Sequence, residues 1–202
     1  MKEQRKQIIT VGILVIILMS AGISFFLIRD AMAKIPDDIW FITQDGKEYR
    51  FGDSEKKIKL VEFMYTTCPE ICPTTTQKMN LLKKDLEKEG VFGDKVQFLS
   101  ITFDLYKDTP DELKTYMKNF DIKNDGNWIF LTGDNERSQE SIDNLKRTTK
   151  PFNFYYKDPG DGYYMHTTLV FLLDENNRFI KKFPMGTDFN KEEVFKEIMS
   201  EI

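Results

Sequence analysis

Histidine is almost missing from this sequence: His166 is the only one in 202 residues. A single imidazole excludes every site that takes two histidines from one chain, the HExxH zinc sites among them. Cysteine is nearly as scarce. Cys68 and Cys72 stand alone, so the chain is not a small scaffold stapled by disulfides. An excess of positive charge is also lacking. The net charge is -4 and basic residues are interspersed with acidic ones, which excludes the basic footprint of a nucleic-acid binder. No internal repeat, low-complexity tract or second domain boundary is visible. What is there is enough chain for one ordinary domain with its own core.

One long apolar run is present. Ile8 to Ile28 contains no charged residue. At about 1.5 Å per residue it is long enough to cross a hydrocarbon core of about 30 Å. Lys2, Arg5 and Lys6 precede it, and Arg29-Asp30 closes it. The positive-inside rule then predicts a single-pass protein of the cell membrane, N-terminus cytoplasmic and C-terminal domain extracytoplasmic. Ala31-Met32-Ala33 offers a competing reading as a signal-peptide cleavage site. The run is longer than a usual signal core, which favours an uncleaved anchor. The expected organisation is residues 1–30 as cytoplasmic N-terminus and transmembrane helix, 31–39 as linker, and 40–202 as one domain. Outside the cytoplasm disulfides persist, so a reduced cysteine pair there needs a reductant.

The domain reads as alternating strands and helices. Trp40–Thr43 and Lys47–Arg50 flank Asp45-Gly46, a β-hairpin signal. Ile58–Tyr65 is apolar almost throughout, which predicts an interior strand. A helix follows over 74–89, with Pro73 in its first turn, a stripe of Met79, Leu82 and Leu86, and Gly90 as its stop. Val96–Phe103 is the next strand. Thr109-Pro110-Asp111-Glu112 is a capping box that opens a helix with Leu113, Tyr116, Met117 and Phe120 inward. Trp128–Leu131 is a short strand, and Gly133-Asp134 leads into a helix with Ile142 and Leu145. Phe152–Tyr156 is extended and 157–162 is a loop. Residues 168–173 and 178–183 form a hairpin, and an amphipathic helix over 190–199 ends the chain. This order predicts an α/β fold: a thioredoxin-like sandwich with an N-terminal β-hairpin, preceded by one transmembrane helix.

Both cysteines fall at the corner between the interior strand and the first helix of the domain. Cys68 and Cys72 are four residues apart, so a helical corner places both sulfurs on one side. The spacing permits a structural disulfide, a redox pair or two ligands to one ion. The helix N-terminus is expected to favour the thiolate of Cys72. His166 stands just before the strand over 167–173. In a thioredoxin-like sheet that start lies against the cysteine corner, which makes His166 a third ligand or, more blandly, a capped imidazole. Two thiolates and one imidazole suit copper, and zinc could use the same three with an open position.

At these residues the chain resembles a known family. Tyr65-Thr66-Thr67-Cys68-Pro69-Glu70-Ile71-Cys72-Pro73 looks like the motif of the Sco (SenC/PrrC) family, and Met79 follows it. The likeness continues through Asp104, Asp108-Thr109-Pro110, Leu131-Thr132-Gly133 and His166 ahead of Thr167-Thr168. Glu70 stands where the family usually has Asp, Leu105 replaces a Pro and Phe103 a Val. The resemblance implies a membrane-anchored copper protein, holding Cu(I) or Cu(II) on Cys68, Cys72 and His166. It implies a role in assembling the copper centre of cytochrome c oxidase. The copper-bearing oxidase subunit would be its partner, with a copper chaperone or thiol reductant as a second one.

Five residues invite finer expectations. Asp104, at the end of a strand, either orients the site from behind a ligand or is a solvated strand end. Met64, Met79 and Met165 read as core filler. Glu62 is a carboxylate inside the apolar strand, six residues before Cys68. Thioredoxins resemble this, with a buried acid at that offset. Glu62 is thus either buried beneath Cys72 as its base or an edge-facing, solvated residue. The alternative function is an enzymatic one: a thiol–disulfide oxidoreductase that reduces the oxidase copper-site cysteines with Cys68 and Cys72 as its redox pair. Copper binding needs His166, whereas disulfide reduction does not.

Overall fold

The computed structural model describes residues 2–31, 33–134, 136, 138–160 and 162–202, without the side chains at 2, 3, 5, 8 and 25–31. The chain begins with helix α1 (Lys2–Ala31), on which Val11, Ile16 and Leu18 are exposed. Among the described residues no helix is long and apolar enough to cross a membrane. The span expected from the sequence, Ile8–Ile28, includes positions 8 and 25–28, which lie outside the described side chains.

The segment expected as a linker, 31–39, packs against the domain from Ala33 onward. Ala33, Ile35 and Ile39 are buried. The Ile35 N–H donates to Asn177 O, and the Phe179 N–H donates to Ala33 O. Apolar residues at 33 and 35 around Lys34 make a short period-2 pattern, and Lys34 bridges to Arg178 as a strand residue would.

The hairpin forms as expected from β1 (Trp40–Thr43) and β2 (Glu48–Arg50). β3 (Ile58–Met64), helix α2 (Ile71–Lys88) and β4 (Val96–Thr102) follow. Helix α3 (Pro110–Asn119) has the Thr109 hydroxyl accepting from the Glu112 N–H. After β5 (Trp128–Thr132), helix α4 (Gln139–Thr149) starts later than Gly133-Asp134 suggests, because Ser138 supplies the cap by accepting from the Ser141 N–H. Phe152–Tyr156, expected as one extended piece, begins at the end of a 3-10 turn (Lys150–Phe152) and ends in β6 (Tyr156–Lys157). β6 pairs with β7 (Met165–His166) as a separate ribbon. β8 (Leu169–Leu173), β9 (Phe179–Pro184) and helix α5 (Lys191–Ser200), capped by Asn190, complete the chain.

The main sheet runs β2-β1-β5-β4-β3-β8-β9. β3, β4 and β5 are parallel, while β8 runs antiparallel to β3. All seven residues of β3 are buried, as its continuous apolar pattern requires. They include Lys59, whose ammonium donates to Glu55 O and Lys57 O, and whose pKa burial lowers to about 8. On α2 the expected stripe Met79, Leu82 and Leu86 is fully buried. Each such side chain contributes about 1.5–3 kcal/mol of apolar transfer.

This topology positions the site. Glu62 pairs with Val170 across the β3/β8 ladder, so the end of β3 meets the beginning of β8. The parallel neighbour β4 ends on the same side, with Met64 opposite Thr102. Three loops therefore converge there: the cysteine corner after β3, the Phe103–Asp104 segment after β4, and the ribbon strand that carries His166.

Candidate metal centre

The cysteine corner is fixed before its helix starts. The Cys68 N–H donates to Tyr65 O at 3.2 Å and closes a turn. One step earlier, buried Asp108 accepts from the Thr66 N–H at 3.0 Å, from the Thr66 hydroxyl and from the Thr102 hydroxyl. Its own carbonyl accepts from the Thr132 hydroxyl at 2.6 Å. Asp108 thus ties the corner to the ends of β4 and β5. Sequence reasoning left Asp108 without a role, because its partners lie up to 42 positions away. Its removal leaves the buried Thr102 hydroxyl and the partly buried Thr66 N–H and hydroxyl without an acceptor. Asp108→Ala should cost about 3 kcal/mol in urea unfolding, and a loss below about 1 kcal/mol would rule out this anchoring.

Beyond the turn, α2 begins at Ile71, so Cys72 lies in its first turn and Cys68 just ahead of it. The corner is not helical from Cys68, yet the two sulfurs still meet. One donor atom each from Cys68, Cys72 and His166 all lie within 4.8 Å of one another. Both thiols are free. His166 Nδ1 is 2.9 Å from Thr167 O. A carbonyl only accepts, so Nδ1 carries a proton, which leaves Nε2 as the donor atom for a metal. Thiolate bonds of about 2.3 Å and imidazole bonds of about 2.0 Å put donors about 3.5–4 Å apart, so this trio would need to contract by about 1 Å at most. The residues therefore fit one soft or borderline ion.

The electrostatics reverse one expectation. Cys68, not Cys72, is the favoured thiolate. The hydrogen bond from the Cys72 thiol is the largest cause holding the Cys68 pKa well below its usual value. His166 and the backbone N–H groups of Cys72 and Glu70 act in the same direction, the Cys72 N–H lying 3.3 Å from Cys68 Sγ. The negative sulfur of Cys68 and burial push Cys72 well up. The physical reason is where the helix starts. Free N–H groups at the start of the helix, those of Glu70 and Cys72, point back at Cys68 just ahead of it.

An aromatic wall surrounds the imidazole. Phe103 lies 5.2 Å and Tyr65 6.0 Å from the His166 ring, centre to centre, and Phe154 lies 6.2 Å away. The Tyr65 hydroxyl accepts from the Tyr164 N–H at 3.3 Å, which joins the cysteine corner to the ribbon.

The remaining expectations divide. Glu62 is fully buried, with Oε1 accepting from Ser100 Oγ at 2.6 Å, so it is not an edge residue. It is near enough to Cys72 for its charge to raise that thiol further. Asp104 is also buried rather than solvated. Its Oδ1 accepts from the Lys107 N–H, and it lies beside Tyr164, whose pKa it helps to raise after burial. The ring nitrogen that a rear carboxylate would have oriented is held by Thr167 O instead. Met64 and Met79 are core, as expected. Met165 is not: it is 54% exposed, because its ribbon lies outside the main sheet and alternation turns it away from His166.

The comparisons with known proteins agree with this geometry. A family model described as SCO1/SenC matches residues 30–202. An SCO2-like protein of Rickettsia typhi is 30% identical over 169 residues, covering 83% of this chain and 78% of its own. The fold resembles Bradyrhizobium japonicum ScoI with copper bound, with TM-score 0.64 and 26% identity over 81% of this chain and 97% of that one. It also resembles BsSco, with TM-score 0.69 and 26% identity over 83% and 92% of the two chains. That protein is described as a member of the Sco family of cytochrome c oxidase assembly proteins with a disulfide switch.

Proposed function

The chain belongs to the SCO1/SenC family, and from that membership we propose that it binds copper on Cys68, Cys72 and His166 and assists assembly of the cytochrome c oxidase copper centre. The observation that carries the reading is the convergence of those three donors within 4.8 Å. A copper-bound relative and an oxidase-assembly relative with this fold support it. Copper is cargo here, not a resident cofactor. Cys68 is the more accessible cysteine, 9% exposed as a residue against 0% for Cys72, so ligand exchange with the copper-bearing oxidase subunit begins at Cys68. A copper chaperone or a thiol reductant would act before that step.

The anchor belongs to the same proposal. A helix with exposed Ile, Val and Leu at successive positions finds no cover in water, and Lys2, Arg5 and Lys6 keep its first turn cytoplasmic. The folded domain is then extracytoplasmic and tethered by one helix.

Titration of the reduced protein with Cu(II), followed by absorption and EPR, tests the metal reading. A strong thiolate-to-copper charge-transfer band should form at one equivalent and disappear in Cys68→Ala. A wild type without such a band refutes it.

The split between the two thiols favours a second activity at the same site. The Cys68 thiolate attacks one sulfur of a partner disulfide and releases the partner's other sulfur as a thiolate. Cys72 then loses its proton and attacks Cys68, which frees the partner's second thiol. The partner gains two electrons, and Cys68–Cys72 becomes the disulfide. Glu62, fully buried and near enough for its charge to act on Cys72, would be the base for the Cys72 proton.

A further inference from the structure

Phe103 belongs to two surroundings at once. It stands against the His166 ring, and it also lines a groove of about 300 Å³. Three parts of the fold build that groove: Phe103 and Leu105 after β4, Ile142 and Leu145 of α4, and Tyr156 and Tyr164 of the ribbon segment. Phe103 and Leu105 are buried, whereas Tyr106 on the same groove is 59% exposed and marks its rim. Its charged lining residues are Lys157 and Asp158, one of each sign, so the groove selects no net charge. One ring separates it from the metal centre. The Phe103 ring lies 5.2 Å from the His166 ring, and 5.3 Å from the rings of Tyr65, Tyr156 and Tyr164. Phe103 and Leu105 are also the positions where this chain departs from the Val and Pro of the family pattern. The groove is therefore a feature of this chain, beyond what the three donors need.

We propose that this groove is the specificity pocket for the partner that exchanges with Cys68, and that it takes one apolar side chain of leucine or phenylalanine size. The inference rests on the thiol-exchange reading. Its place beside the exchanging sulfur decides what fills it. A partner segment that delivers a sulfur to Cys68 lies across the cysteine corner and the His166 ring, and the groove is the next surface it meets. From the imidazole to the Tyr156 ring is no more than about 11 Å, which an extended chain crosses in about three residues. The occupant is thus a side chain about three residues from the partner's reacting cysteine. A volume of this size holds about ten waters, and one large apolar side chain displaces several of them from apolar walls. A serine at that position gains nothing there. Phe103 and Leu105 act by binding the partner, not by touching the reacting sulfurs.

The probes are synthetic peptides with one internal disulfide, carrying leucine or serine three residues before the first cysteine or three residues after the second. The purified full chain, reduced beforehand, should reduce the better-placed leucine peptide about tenfold faster than its serine counterpart, read as a second-order rate constant in stopped flow. Hydroxyethyl disulfide has no side chain for the groove and sets the baseline. Ile142→Asp puts a charge into the groove and should cut the leucine preference to about twofold or less, while the hydroxyethyl disulfide rate changes by less than about twofold. Should that variant not fold, Tyr106→Ala at the exposed rim should lower the preference by about threefold. Equal rates for leucine and serine at both placements overturn the inference. A reduced chain that leaves the peptides and hydroxyethyl disulfide alike intact refutes the thiol-exchange reading instead. Binding then decides the groove: with serine in place of both peptide cysteines, the leucine peptide should bind about tenfold tighter than the serine one. Equal affinities overturn the inference.

Discussion

His166→Ala should lower the affinity for Cu(II) by about a hundredfold or more, while the rate at which Cys68 and Cys72 reduce a small disulfide changes by less than about threefold. The two functions separate at this residue because they need different atoms. A three-donor site loses its only nitrogen, and no other histidine exists to replace it. Thiol exchange keeps both sulfurs, and the Cys72 thiol with the two backbone N–H groups still holds Cys68 as the thiolate. Competition titration against a chelator reads the first effect, and stopped-flow disulfide reduction reads the second. Unchanged copper affinity would sink the ligand set. A joint collapse of both activities would mean that His166 supports the loop rather than the metal.

The second large effect is expected from Glu62→Gln. Burial is the largest cause raising the Glu62 pKa from 4.5 to about 7, against the Ser100 hydrogen bond that lowers it. The folded state therefore holds this proton more tightly than the unfolded chain does. The sign follows from linkage: the contribution to stability is fully present below pH 4.5 and is lost as pH rises through about 7. Above that pH the buried charge costs about 3 kcal/mol, at roughly 1.4 kcal/mol per pKa unit. Glutamine keeps the shape without the charge. The difference in urea-unfolding free energy between variant and wild type should thus grow by about 2–3 kcal/mol in favour of the variant from pH 4.5 to pH 8. A flat difference over that range would show that Glu62 is not held neutral. If Glu62 also takes the Cys72 proton, the more stable variant should close the Cys68–Cys72 disulfide more slowly near pH 7.

Much of this protein is legible from its residues alone. The alternation of strands and helices, the buried stripe on α2, the Thr109 cap and the Asp45-Gly46 turn are local patterns, and each is realised where it stands. The metal centre is legible too, because scarcity narrows the choice. With two cysteines and one histidine, few other soft donor sets can be written. Determined locally as well is the start of α2 near Cys72.

What the tertiary structure decided is how these donors differ. The sequence places Cys72 at a helix N-terminus and suggests it as the thiolate. The fold aims the free N–H groups, the His166 ring and the Cys72 thiol at Cys68, and leaves Cys72 buried behind it. Asp108 acquires its role only when β4 and β5 end beside Thr66. Met165 loses its place in the core because the ribbon with β6 stands apart from the main sheet. The physical reason is common to all three. Residue type and spacing set which groups can bond, but direction and burial arise from contacts between positions far apart in the chain. Those two quantities set the charge on a sulfur and the strength of its bonds.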